Sequence, residues 1–218
     1  MPEVTADPDS IVIAAAALDV ALERRQAETL LQFGALLLRW NRAFNLISRR
    51  DTGRLLPRHL LDSLSIAPWL VGREVMDLGT GAGLPGVPLA IAREDLRFTL
   101  VDRSERKIRF IKQVVRALEL ANVSSWCGDV RSLPDTVAFD TIVCRAVAPP
   151  GDVWALAGGR IRLGGRMLIM HRGQSAPTAS EEDQQVLPGA VLCERVQLQV
   201  PGLQQSHELL VLDRTGPE

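Results

Sequence analysis

A short apolar strand runs directly into a crowd of glycines: Val75-Met76-Asp77-Leu78-Gly79-Thr80-Gly81-Ala82-Gly83-Leu84-Pro85-Gly86. Few folds use such a run. Glycine enters left-handed backbone freely and lets a ligand approach the main chain. A glycine turn between a strand and a helix also exposes the first helix amides, which attract negative groups. The segment therefore predicts a βα unit with a ligand held against its turn.

Two frames fit the glycines. Gly81, Gly83 and Gly86 match the dinucleotide fingerprint G-x-G-x-x-G. Asp77, Gly79, Gly81 and Gly83 match the D-x-G-x-G-x-G turn of Rossmann-like methyltransferases, which bind S-adenosylmethionine. Asp77 favours the second frame. An acid at the strand end can reach the turn or a cofactor ammonium, and it would repel a pyrophosphate. Asp102 closes the next strand and is followed by Arg103-Ser104. A carboxylate there accepts from ribose hydroxyls in either frame, or caps the following helix. Asp129, after a third strand, fits an adenine amino group or a turn.

The surrounding pattern sets the architecture. From Ser10 to Ala67 the apolar residues recur at helical spacing, as in Leu30, Leu31, Phe33, Leu37 and Leu38. After Gly72 strands alternate with helices: Glu74 to Leu78, Phe98 to Val101, Val123 to Cys127, Thr141 to Cys144, and Arg166 to Met170 after a turn at Gly164-Gly165. A charged amphipathic helix is predicted over Arg103 to Glu119. Val191 to Val200 and Glu208 to Leu212, around Pro201-Gly202, read as an antiparallel pair. The polar stretch 174–188 reads as a loop or short helix. These elements predict an α/β fold: a mostly parallel Rossmann-like sheet whose last strand is antiparallel, with an N-terminal helical extension. The division expected is 1–70 for the extension and 71–218 for the cofactor-binding core.

Composition narrows the setting. The 218 residues carry 25 Lys+Arg against 26 Asp+Glu, and all the cations but Lys107 and Lys112 are arginine. Near-neutral charge argues against a uniformly basic nucleic-acid binder but permits a basic patch. Cys127, Cys144 and Cys193 are odd in number and far apart, which predicts free thiols in the cytoplasm and no zinc site. The apolar stretch from Ile11 to Leu22 contains Asp19 and falls short of the roughly 20 residues that span a bilayer. Six arginines lie between Arg39 and Arg58 against the single acid Asp51, a local net of +5. Eight cations lie between Arg93 and Arg116 against four acids, and Arg160, Arg162, Arg166 and Arg172 form a third cluster. Such clusters suit phosphate contacts, or are solvated faces. His59 and Asp62, three apart on a helix, could share a site face or form a buried polar brace.

Taken together, Trp40-Asn41-Arg42-Ala43-Phe44-Asn45-Leu46, Arg58-His59-Leu60-Leu61-Asp62-Ser63, the glycine run, Phe139-Asp140 with Arg145-Ala146, and Val200-Pro201-Gly202 resemble the glucose-inhibited division protein B family. These are small-subunit ribosomal RNA guanine-N7 methyltransferases. The resemblance runs from about residue 33 to 212. It implies a bacterial cytoplasmic enzyme that methylates N7 of one guanine in 16S rRNA, alone or within the 30S subunit, with S-adenosylmethionine, no metal and no obligate protein partner. By position it places cofactor contacts on Gly79, Leu84, Asp102, Arg103, Ser104, Val130, Arg131 and Arg145. The residue reading adds Asp77, Gly81, Gly83 and Asp129. Three places depart from the family pattern: His171-Arg172-Gly173 for Lys-Gly, His207-Glu208 for Arg-His, and Ala82 for proline.

Guanine N7 offers a free lone pair, so methylation requires no general base and rests on alignment. Arg145, at a strand end, is the expected catalytic residue through guanine O6 or the cofactor. Its alternative is an ion pair with an acid such as Asp140. Arg42, Arg49, Arg50, Arg54, Arg58, Arg106 and Arg172 are the expected RNA contacts. Competing functions are a methyltransferase of another substrate, a NAD-dependent enzyme, and a non-catalytic ribosome-assembly module that retains the fold.

Overall fold

The computed structural model describes residues 6–145, 147–172, 187–204 and 207–216, with the backbone alone at 49 and 172. Apart from its last two residues, the expected loop over 174–188 lies outside the described residues, as do the side chains of Arg49 and Arg172.

Two helices open the chain, α1 (Pro8–Ala16) and α2 (Arg24–Phe44). Glu23 and Gln26 form a reciprocal capping box at the start of α2. Asn45 ends it in the left-handed conformation. The next apolar stripe is not a plain α-helix. A π-helical stretch, Leu56–Leu61, runs into the short α3 (Asp62–Leu64). Strands and helices then alternate: β1 (Glu74–Leu78), α4 (Gly86–Ala92), β2 (Arg97–Asp102), α5 (Glu105–Ala117), β3 (Val123–Cys127), β4 (Phe139–Arg145), α6 (Pro150–Ala157) and β5 (Ile161–Arg172). The chain continues through β6 (Ala190–Leu198) and β7 (His207–Arg214).

The strands form one seven-stranded sheet in the order β3-β2-β1-β4-β5-β7-β6. β1 to β5 are parallel, and β7 enters antiparallel between β5 and β6. The expected Gly164-Gly165 turn is instead an irregularity inside β5, which is longer than predicted. Its register against β4 shifts at Phe139/Thr141. A Cβ on Gly165 would stand 2.5 Å from the Asp140 carbonyl oxygen, so only glycine admits this close strand pairing.

Strand alternation divides the core. Val75, Phe98, Leu100, Val143 and Leu168 face the N-terminal helices with α4 and α5. Met76, Val101, Ile142, Cys144 and Met167 face α6. Leu30, Phe33, Leu37, Leu60 and Leu64 are fully buried against the first of these layers. The N-terminal helical segment thus covers one sheet face.

The entry to β1 is fixed by polar contacts. Asp140 accepts the amides of Arg73 and Glu74 at 2.7 and 2.9 Å. Gly72 sits at φ +67°, and a Cβ there would lie 2.2 Å from that of Asp140. Gly72→Ala should therefore destabilise by at least about 1–2 kcal/mol from the left-handed backbone alone. That corresponds to a fall of roughly 2–8 °C in Tm for a chain of this size. Gly53→Ala, where an added Cβ meets nothing within 4 Å, is the control and should melt near wild type. Equal melting of the two variants would remove this account of the turn.

Candidate functional site

The glycine turn follows β1 at the C-terminal edge of the sheet. Gly79, Gly81 and Gly83 all have positive φ, at +68°, +58° and +81°. Contacts reinforce the requirement at two of them. A Cβ would lie 2.9 Å from Val147 at Gly79 and 2.7 Å from Val87 at Gly83. The Thr80 amide donates to the Val101 carbonyl at 2.9 Å, tying the turn to β2. Leu84 is buried beneath the turn.

Asp77 holds this turn from inside. Its side chain is fully buried, and Oδ2 accepts the Thr80 hydroxyl at 2.6 Å and the Gly86 amide at 2.9 Å. Oδ1 has no partner among the described residues. Burial raises the carboxyl to about 6, against the two hydrogen bonds that lower it.

Asp102 uses both carboxylate oxygens within the protein. Oδ1 accepts the Ser104 amide at 2.8 Å, at the start of α5. Oδ2 accepts the Gly81 amide at 3.0 Å and Lys107 Nζ at 3.2 Å. It thereby couples the glycine turn to the second strand end. Lys107 went unnoticed in the sequence, although one turn of α5 brings it over Asp102. Asp129 accepts the Arg131 amide and guanidinium and also pairs with Arg103. These contacts, with the Arg131 side chain foremost, hold its carboxyl well below the usual range. Val130 is buried behind it, while Arg103 and Arg131 are exposed.

The alternative for Arg145, an ion pair with an acid, forms, but not with Asp140. Asp140 is committed to Arg162 and the β1 entry amides. Arg145 instead donates to Asp62 Oδ2 at 3.3 Å, reaching from the end of β4 to α3. Asp62 is 1% exposed. Its Oδ1 lies 2.5 Å from His207 Nδ1, and His207 Nε2 lies 2.7 Å from Arg58 Nη1. Arginine can only donate, so Nε2 accepts and Nδ1 carries the proton given to Asp62. The chain of bonds runs from Arg58 through His207 to Asp62, with Arg145 donating to the other oxygen. Asp62 is thus the polar brace, and His59 is not part of it. His207 receives its cation from Arg58, which lies 149 positions earlier. Nothing in sequence spacing signals such a pairing.

These residues wall a cavity of about 290 Å³, lined also by Leu46, Ile47, Ser48, Asp51, His59, Met170 and His171. It lies at the C-terminal end of β4 and β5, beside the β1/β4 junction where the strand order reverses. The glycine turn and Asp102 lie on the other side of that junction. Arg145 stands between the two.

The arginine clusters separate. Arg93, Arg97 and Arg103 pair with Asp95, Glu74 and Asp129. Arg160 donates to carbonyls of Arg131, Leu133 and Pro134, while Arg162 and Arg166 pair with Asp140 and Asp213. The described part of the third cluster is therefore committed internally. Arg58 is inside the cavity wall, with a side chain 13% exposed. Arg42, Arg50, Arg54 and Arg106 are exposed. Arg106 lies over the Phe44 ring at 6.0 Å, and Trp40 packs on both Phe44 and Phe110, so the basic end of α2 meets the basic face of α5. Among the described residues no group of three metal-ligating side chains occurs, and no helix is long and apolar enough to cross a membrane.

The sheet order, the glycine turn after β1 and the acid closing β2 define the Rossmann-like methyltransferase fold. Magnesium protoporphyrin IX methyltransferase of Synechocystis PCC 6803, solved with bound SAM, shares it at a TM-score of 0.58 and 18% identity, over 81% of this chain and 90% of that one. The family model for rRNA small subunit methyltransferase G matches residues 26–211. Ribosomal RNA small subunit methyltransferase G of Methylococcus capsulatus is 42% identical over 193 residues, covering 88% of this chain and 92% of that protein. The Sodalis glossinidius protein of the same name is 41% identical over 197 residues, covering 89% and 93%. The chain belongs to the rRNA small subunit methyltransferase G family, as its motifs led us to expect.

Asp77 makes a pH-dependent prediction. Its raised value means that it favours folding while protonated. That contribution is complete below about 4 and lost as pH rises through about 6. His59, whose value falls from 6.5 to about 4 on burial, acts in the opposite sense and is common to both proteins being compared. Asp77→Asn keeps an acceptor for Thr80 and Gly86. Its Tm relative to wild type should rise between about pH 4 and pH 6 and level off above about pH 7. A difference constant across that range would show that no buried carboxylate ionises here.

Proposed function

We propose that this methyltransferase transfers the methyl group of S-adenosylmethionine to N7 of one guanine in 16S rRNA. The family match over residues 26–211 carries the reading, supported by a complete glycine turn and strand-end acids. The residues fit the cofactor. Asp77 Oδ1 is a buried acceptor awaiting a donor, and a Cβ at Gly81 would meet nothing nearer than the Gly79 carbonyl at 3.7 Å. Asp77, Gly79, Gly81, Gly83 and Leu84 would shape the turn beneath it. Asp102, with Arg103 and Ser104, would meet the ribose, and Asp129, Val130 and Arg131 the adenine.

Bound S-adenosylmethionine supplies an electrophilic methyl on a sulfonium; the N7 lone pair forms the new bond, the sulfur keeps the old pair, and the positive charge passes to the base. No proton leaves N7, so the protein's task is alignment, which can supply roughly 7–11 kcal/mol. Arg145 stands between cofactor turn and cavity and is the catalytic residue we assign, donating to guanine O6 and leaving N7 free. Asp62 fixes its direction. Residues 1–70 act as a cap over the core of 71–218, closing the cavity from one side. A protein that acts on ribosomal RNA would work in the cytoplasm.

Incubation with labelled S-adenosylmethionine should label 30S subunits, and neither 50S subunits nor protein. Thermal shift should respond to S-adenosylhomocysteine and not to NAD. Label confined to another substrate would overturn the reading, and binding without transfer would favour the assembly-module alternative. Arg145→Ala should lower turnover by about 10²-fold or more, the scale of losing one positioned donor.

Arg42 and Arg106 define the RNA face, with Arg50 and Arg54 beside it. Affinity for small-subunit RNA should fall steeply with salt. Arg42→Glu/Arg106→Glu should lower the log–log slope by about 1 per lost phosphate contact. An unchanged slope would exclude this face.

A further inference from the structure

The methyl-transfer reading leaves one buried group unused. His59 is 7% exposed and lines the cavity, yet neither ring nitrogen has a hydrogen-bond partner among the described residues. A buried polar group left unpaired is costly to the fold. Such a cost is retained where a ligand later satisfies it. His59 also sits on the π-helical stretch Leu56–Leu61, a distortion that recurs at functional sites.

The walls indicate the ligand class. Arg58 and Arg145 bring two cations, and Asp51 and Asp62 two anions, around one imidazole. Burial, with the Arg145 charge beside it, lowers His59 to about 4, so the ring is neutral at physiological pH. A neutral imidazole offers one donor and one acceptor. Guanine offers O6 as acceptor and N1–H and N2–H as donors on one edge. At about 290 Å³ the cavity is just below the roughly 300–1,000 Å³ of drug-sized ligand sites. That is room for one base. Enzymes that modify a base take it out of the stack, and the narrow major groove of RNA helices makes N7 inaccessible otherwise.

We infer that this cavity receives the target guanine flipped out of the RNA, and that His59 is the specificity-determining side chain that hydrogen-bonds its Watson–Crick edge. The inference rests on the methyl-transfer reading. The geometry suits the charge change: the base becomes a cation on methylation, a neutral ring does not repel it, and Asp51 and Asp62 offset the arginines on the walls.

With only three histidines in the chain, imidazole NMR signals can be assigned by deleting one. The His59 signals, identified as those lost in His59→Phe or His59→Asn, should shift saturably on titration of wild type with guanosine 5′-monophosphate or 7-methylguanosine 5′-monophosphate. Adenosine 5′-monophosphate should leave them in place. On 30S subunits, His59→Phe should lower kcat/KM about tenfold or more, and His59→Asn, which keeps a donor and an acceptor, should stay within about threefold, the scale of one hydrogen bond. Both variants should bind S-adenosylhomocysteine as wild type does. The wild-type enzyme should also prefer a guanosine over an inosine target, and His59→Phe should lose that preference. His59 signals that stay still with guanosine, or move equally with adenosine, overturn the inference, as does a His59→Phe enzyme that keeps both rate and preference. A wild-type protein that methylates no small-subunit RNA while its His59 signals follow guanosine overturns the methyl-transfer reading and leaves the base site standing.

Discussion

One buried carboxylate determines how the parts of this molecule meet. Asp62, almost sealed from solvent, accepts from His207 at the head of β7 and from Arg145 at the tip of β4. Each of the three comes from a different layer: the helical segment, the parallel half of the sheet and the antiparallel hairpin. A buried ion pair adds little net stability against an apolar replacement, but breaking one leaves an uncompensated charge at a cost of about 3–5 kcal/mol. The triad therefore acts less as glue than as a specification. It admits one docking of the helices on the sheet edge, and that docking creates the cavity walls and aims Arg145.

Electrostatics elsewhere follows a sorting rule. A net charge of −1 conceals the fact that most arginines already have acids or carbonyls to serve. Arg93, Arg97, Arg103, Arg160, Arg162 and Arg166 are occupied in fastening strand ends and turns. The uncommitted charge sits at the end of α2 and along α5, joined by Arg106 over Phe44. An anionic polymer would meet a local positive face on a body otherwise balanced, which steers orientation as well as encounter.

Much of the fold was legible in the sequence. Short apolar runs marked the strands because both faces of the sheet are covered, and the glycine turn announced itself because glycine enters left-handed backbone most freely. Asp77 and Asp102 were readable because their partners lie within a short span of chain or one strand over. The failures share a cause. Gly164-Gly165 looked like a turn because glycine pairs usually are, whereas both lie within β5, where Gly165 closely approaches β4. The acid that Arg145 meets is not a sequence neighbour such as Asp140 but Asp62, 83 positions away. His59 and Asp62 looked like a same-face pair at helical spacing. The π-helical winding changes the angle between successive side chains, leaving one unpaired and the other central to the network. Local patterns report local geometry; the brace is made of contacts that only the completed topology brings together.

The position of β7 in the sheet has a temporal consequence. Asp62 waits for a partner 145 residues downstream, and that partner belongs to a strand inserted between two others. Domains begin to fold while synthesis proceeds from the N-terminus. The glycine turn can form from residues already out of the ribosome, but the cavity cannot, because one of its walls has yet to be translated. A growing chain could therefore complete its glycine turn well before β7 arrives to close the brace around Asp62.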